Sequence, residues 1–214
     1  MNKRKITSVL VSIALLAGSA GCSQKAEETT AVTTTSAATT TTEATTEISE
    51  SVTETEAEEG SQDYLEGYET FEVTSEDLVD GVWADVISKD EGDNVSPQLS
   101  WEEVDGAEVY IIYMVDPDAG FWIHWKSDGI TETELPQGWA ESTEYVGPYP
   151  PSGTTHHYDI YVVALRAPVD HLSGSVNSGN PNFVAFLTGV DTDAEGNSGN
   201  IISYGRISGT FTSP

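Results

Sequence analysis

The sequence predicts a mainly β domain, an antiparallel sandwich or two-sheet arrangement. Three observations carry that expectation. The apolar runs "VYIIYMV" (109–115) and "IYVVAL" (160–165) have strand length and are rich in β-branched and aromatic residues. Long polar loops holding Gly, Pro, Asn and Asp separate the apolar runs. A single stretch, "NPNFVAFLTGV", is suited to a short helix, around 183–190.

Ahead of the domain, "MNKRKITSVLVSIALLAGSAGC" has a basic start, an apolar stretch and small residues before Cys22, the pattern of a secretory signal. Its apolar run falls short of the roughly 20 residues a spanning helix needs. Ala20 and Gly21 before the only cysteine resemble a bacterial lipobox, which makes Cys22 the expected lipidation site and residues 1–22 the signal. An ordinary signal with an incidental cysteine is the alternative. Lipidation would anchor a secreted protein to the extracytoplasmic face of a bacterial membrane, through the lipid alone. Residues 23–70 are dominated by Thr, Ala and Glu and bury too little apolar surface to offset the entropy of ordering them. They are expected to be a disordered tether with an r.m.s. span on the order of 40 Å.

Residues 71–214 form the expected domain, which must hold itself together without an internal disulfide because the chain has one cysteine. "FEVTSEDLVDG" reads as an opening strand and a turn. In "NVSPQLSW" Pro97 stiffens a turn and Trp101 plugs the core. The two apolar runs are expected as central strands covered on both faces. "NIISYGRISGTFT" reads as the last strand, with Gly205 or Gly209 marking a bulge. A formal net charge of −28 argues against nucleic acid and anionic lipid surfaces as partners. It also suits an acidic coat that keeps a secreted domain soluble.

Two loops gather the residue types that carry chemistry. "DPDAGFWIHW" follows the first central strand directly, so Asp116 and Asp118 stand at the strand end, before Trp122, His124 and Trp125. Two carboxylates this close to His124 are expected to raise its pKa and favour the imidazolium. "GPYPPSGTTHHY" stiffens the chain with Pro148, Pro150 and Pro151 before it enters the second central strand. Alternate residues of a strand share a face, so His156 and Tyr158 should point into a site and His157 away from it.

These stretches, with the late "GRISGTF", occur in the order seen in the phosphatidylethanolamine-binding protein family, and the domain resembles that family's bacterial Raf-kinase-inhibitor-like branch. The resemblance spans residues 71–212 and implies a large central antiparallel sheet packed against a smaller one, with short helices at the periphery. It implies a small anion pocket accepting phosphate or a phosphorylated head group. That pocket would be built from Asp116, Asp118, His124, His156 and Tyr158, edged by Tyr149 and Pro151, with Trp122 and Trp125 as apolar walls. No cofactor or metal is implied. The chain departs from the pattern at Gly120, where the family has proline, at His157, where it has arginine, and at Tyr149, where it often has a small residue. The expected function is a non-enzymatic binding domain for a small phosphorylated or anionic ligand, or for a protein partner through the same face. A hydrolase using a metal, or the histidines and aspartates of the pocket, is the alternative. A wall-surface spacer with a relic pocket is the third reading.

Overall fold

A computed structural model describes residues 62–214. The expected signal with Cys22, and the expected tether up to residue 61, lie outside the described residues. In chain order the strands are β1 (Glu69–Thr70), β2 (Val73–Thr74), β3 (Leu78–Val79), β4 (Val82–Trp83), β5 (Leu99–Trp101), β6 (Val109–Asp116), β7 (Trp122–Ile130), β8 (Glu134–Leu135), β9 (Thr155–Leu165), β10 (Ser178–Gly179) and β11 (Ile201–Thr212). One α-helix, α1 (Phe183–Gly189), lies between β10 and β11, and a 3-10 turn covers Asp85–Ile87.

The large sheet runs β10-β7-β6-β9-β11-β4-β3, with β1 on β11 as a branch, and the small sheet runs β2-β5-β8. The small sheet is antiparallel. The large one is mixed, because β1 and β4 both pair with β11 in parallel. An all-antiparallel sheet, expected from the sequence, is corrected at those two short strands. Their pairing direction depends on chain reversals that no residue pattern encodes.

β6 is buried at every position, which explains why its sequence shows no polar alternation. Tyr110, Ile112 and Met114 face the small sheet, with Ile160, Val162 and Ala164 of β9 beside them. Ile111, Tyr113 and Val115 face the opposite way, with Tyr161, Val163 and Leu165, under Phe183 and Leu187 of α1. The strands of the two runs are neighbours, paired from Val109–Leu165 to Val115–Asp159. Trp101 is 6% exposed and packs edge-on against Tyr110, as a core plug should.

The ordered domain begins earlier than Phe71. Leu65 is 1% exposed, Tyr64 packs its edge on Phe121 and Phe183, and the Tyr204 hydroxyl donates to Asp63. Three apolar side chains, Tyr64, Leu65 and Tyr68, suffice to fix this segment, and the polar residues around them conceal it in the composition.

The register of β11 against β9 is regular from Ser203 to Thr212, and its one irregularity falls between Ile201 and Ser203. Neither Gly205 nor Gly209 is therefore the bulge. Both serve close packing: a Cβ on Gly205 would run into Val73 and Phe71, and one on Gly209 into Leu78 and Trp83. Overfilling a packed core costs typically about 1–3 kcal/mol. Gly209→Val should lower the urea-unfolding free energy by about 2 kcal/mol or more. Gly189→Ala, at a position with open space, should change it by less than about 1 kcal/mol.

Candidate functional site

The site forms where β6 ends, β7 begins and β9 begins. Val115 pairs with Asp159, so the last residue of β6, Asp116, lies level with the start of β9. Its Oδ1 accepts the backbone N–H of Ala119 at 3.0 Å, a local bond that turns the chain back toward β7. Its Oδ2 accepts Nδ1–H of His156 at 2.7 Å. The turn then passes through Gly120 (φ 67°) and Phe121 (φ 58°), where glycine suits the left-handed backbone.

On β7 the register slips by one residue: Ile123 pairs with Val115, Trp125 with Met114, and His124 is left as the extra residue. Trp122 and His124, two residues apart on the strand, share the cavity side. The β-bulge turns Trp125 onto the small-sheet side with Met114, where it is fully buried against Tyr145 and Trp139 and donates Nε1–H to Ser127. The expectation of Trp125 as a cavity wall is thus corrected, because a slip of one residue reassigns the direction of side chains.

The proline-rich loop closes the other side. Tyr145 donates its hydroxyl to the Ile87 carbonyl, Gly147 N–H bonds Asn94 Oδ1, and Lys89 N–H bonds the Pro148 carbonyl. A Cβ on Gly147 would collide with the backbone of Ile87–Lys89, so only glycine allows this approach. The loop is therefore held by the segment 87–94 as well as by its own prolines.

The resulting cavity measures about 240 Å³, small beside the roughly 300–1,000 Å³ of drug-sized sites. Its lining brings together Asp116, Trp122, His124, Tyr149, Pro151, His156 and Tyr158 from the sequence-derived set. Ala119 and Pro150 line it as well and had no signal beyond their loops. Asp118 does not line it; its carboxylate accepts the backbone N–H and ring Nδ1–H of His157 on the outer surface. His157 points away from His156 because it is the intervening residue of the strand. Tyr149 forms a wall, edge-on to Trp122 and His124, with its hydroxyl donating to Asn177. Lys89 sits over the outer face of this ring, 3.9 Å from its centre. Neither Lys89 nor Asn177 lies in a motif, and only the fold brings them here.

The electrostatics reverse one expectation. No carboxylate bonds His124; its Nδ1–H donates instead to the carbonyls of Val146 (2.8 Å) and Gly147 (3.1 Å). Burial lowers its pKa to about 4 despite those two bonds, and the nearby His156 and Lys89 push the same way. His124 is thus a neutral imidazole at pH 7, not an imidazolium. Burial raises Asp116, opposed by the bonds from His156 and Ala119. For Asp118 burial acts upward too, but the bonds from His157 outweigh it and the pKa falls. Burial, with Asp116 beside it, holds the Tyr158 phenol far above its usual range, so it remains an O–H donor. That hydroxyl and the indole N–H of Trp122 are buried and make no well-formed hydrogen bond among the described residues, although Asp116 lies close to the first and Tyr149 close to the second.

The depressed His124 pKa ties stability to pH. The unfolded chain takes up the proton near 6.5 and the folded one near 4, so the stabilisation is complete above about 6.5 and is lost as pH falls toward 4. The raised Asp116 acts in the opposite sense, its stabilisation being lost as pH rises above the ordinary carboxylate value. Between about pH 7 and 5 the His124 contribution to unfolding free energy should drop by about 2 kcal/mol. Urea unfolding of wild type and His124→Gln at both values measures it: the variant should lack this part of the slope, and parallel slopes would contradict it.

Comparison with known proteins agrees with the fold. The phosphatidylethanolamine-binding protein family model matches residues 74–201. UPF0098 protein YbhB of Escherichia coli K12 is 34% identical over 124 residues, covering 44% of this chain and 76% of its own length. A UPF0098 protein of Methanothermobacter thermautotrophicus is 37% identical over 101 residues, covering 37% of this chain and 66% of its own length. The crystal structure of Escherichia coli YbcL, described as a new member of the mammalian PEBP family, superposes with a TM-score of 0.51 at 23% identity. That match covers 67% of this chain and 99% of YbcL. The chain belongs to the phosphatidylethanolamine-binding protein family.

Proposed function

We propose that residues 62–214 are a binding domain whose cavity takes a phosphate-like anion or a phosphorylated head group. The chain would present this domain outside the cell on its Thr/Glu-rich tether, anchored by lipid at Cys22. The observation that supports the reading is a small cavity that gathers Trp122, Tyr158 and His156 between rings and prolines, with Asp116 and Ala119 also on its lining. Trp122 Nε1–H and Tyr158 O–H make no well-formed hydrogen bond to the described residues, although Tyr149 lies close to the first and Asp116 close to the second. A buried donor without a well-formed bond costs roughly 1–3 kcal/mol, which a bound oxyanion would recover. His156 adds a third group: its Nδ1 is committed to Asp116 and its Nε2 is left for a ligand. The cavity volume suits a head group and excludes much more.

The tether and the signal supply the remaining half of the proposal. An acidic domain with a formal chain charge of −28 would stay clear of an anionic membrane surface while its anchor holds it nearby. The same cavity mouth, with Lys89 and Tyr149 beside it, would serve a protein partner offering an acidic or phosphorylated side chain.

A hydrolase is the second reading, favoured by one observation: Asp116 fixes the tautomer of His156 at 2.7 Å, the arrangement that orients a general base. Turnover of a generic phosphoester that is lost in His156→Ala would establish it.

For the binding reading, adding inorganic phosphate or phosphoethanolamine to the protein should shift the NMR signals of His124 and His156. Tyr158→Phe should weaken binding by about fivefold or more, the worth of one hydrogen bond to an ion. An unchanged spectrum at millimolar ligand would overturn the proposal. Fractionation of cells tests the anchor: Cys22→Ser should move the protein from the membrane to the soluble extracytoplasmic fraction.

A further inference from the structure

The hydrogen-bonding inventory of the cavity is specific about more than charge. Two donors, Trp122 Nε1–H and Tyr158 O–H, make no well-formed hydrogen bond to the described residues, the first lying close to Tyr149 and the second close to Asp116. Both carboxylate oxygens of Asp116 are already engaged, Oδ1 by the Ala119 N–H and Oδ2 by His156. The Nδ1 of His124 is also engaged, by two backbone carbonyls that accept and never donate, so this nitrogen carries the proton. Its Nε2 makes no hydrogen bond to the described residues. On a neutral ring that nitrogen is a lone pair, an acceptor awaiting a donor.

Resting on the anion-pocket reading, we infer that His124 makes the cavity selective for oxyanions that still carry a proton, a phosphoryl or phosphonyl group with one O–H, over fully deprotonated anions of the same shape. Two oxygens of such a group accept from Trp122 and Tyr158, and its hydroxyl donates to His124 Nε2. A sulfate or sulfonate brings only lone pairs and sets one of them against that of His124. The groups around the ring support its neutrality: the rings of Tyr149 and Tyr158 pack on it, the nearby His156 and Lys89 disfavour a charge on it, and the nearest strand-end carboxylate, Asp116, is bonded to His156 and Ala119 and makes no bond to His124. Burial holds His124 at a pKa of about 4, so no proton is available to turn Nε2 into a donor at ordinary pH.

The test compares methylphosphonate with methanesulfonate by calorimetric or NMR titration of the full-length protein at about pH 5.5, below the second ionisation of a phosphoryl group at roughly 6. Both probes are then tetrahedral monoanions with one methyl group, and only the phosphonate carries an O–H. Methylphosphonate should bind about tenfold or more tightly than methanesulfonate, the consequence of leaving a buried acceptor unsatisfied. Inorganic phosphate should exceed sulfate likewise. In His124→Gln, whose amide can turn either an N–H or a C=O to the ligand, the phosphonate preference should shrink to about threefold or less. Equal affinities for the two probes in wild type would overturn the proton selectivity while leaving the anion pocket standing. Binding of neither probe would overturn both.

Discussion

The pairing of β6 with β9 is the constraint on which the rest of this structure depends. Both strands are covered on both faces, so their register is fixed by apolar packing along seven paired positions from Val109–Leu165 to Val115–Asp159. The end of one strand and the start of the other are thereby brought level. Asp116 and His156 meet because the hydrophobic residues behind them cannot be rearranged. A slip of one residue would turn Ile160 and Val162 out of the small-sheet core and carry His156 to the other face.

The cavity is a consequence of what happens just beyond that pairing. Asp116 bonds the Ala119 N–H and starts a turn, Gly120 and Phe121 reverse the chain, and alternation along β7 sets Trp122 and His124 on the cavity face. The opposite wall depends on contacts from a segment far away in sequence, with Gly147 lying against Ile87–Lys89 and bonded to Asn94. The opening of the domain contributes too. Tyr64 packs on Phe121, the neighbour of Trp122, so the opening segment of the described residues supports the turn.

Much of this was legible in the sequence, and for physical reasons. β6 and β9 show as unbroken apolar runs because nothing polar fits between two covered faces, and α1 shows as the one apolar segment without strand-forming surroundings. Strand alternation placed His156 and Tyr158 together and His157 apart. The bulge was not legible: no glycine or proline marks it at His124–Trp125, and it decides that Trp125 turns into the small-sheet core. Burial was likewise hidden. A histidine near two aspartates in sequence reads as a paired imidazolium, yet Asp116 bonds His156, Asp118 bonds His157, and His124 bonds only carbonyls. The glycines at 205 and 209 read as irregularities of one strand, whereas their role lies in the residues packed above them.

Taken together, an acidic chain keeps at its sheet end a small cavity lined by a neutral His124 whose Nε2 is left as an acceptor. The central claim is therefore the protonation of His124. Long-range nitrogen–proton NMR correlation on the imidazole rings reads it directly. The account predicts the neutral form with the proton on Nδ1, persisting as pH is lowered to about 5. An imidazolium at about pH 6, or a neutral ring with its proton on Nε2, would contradict it.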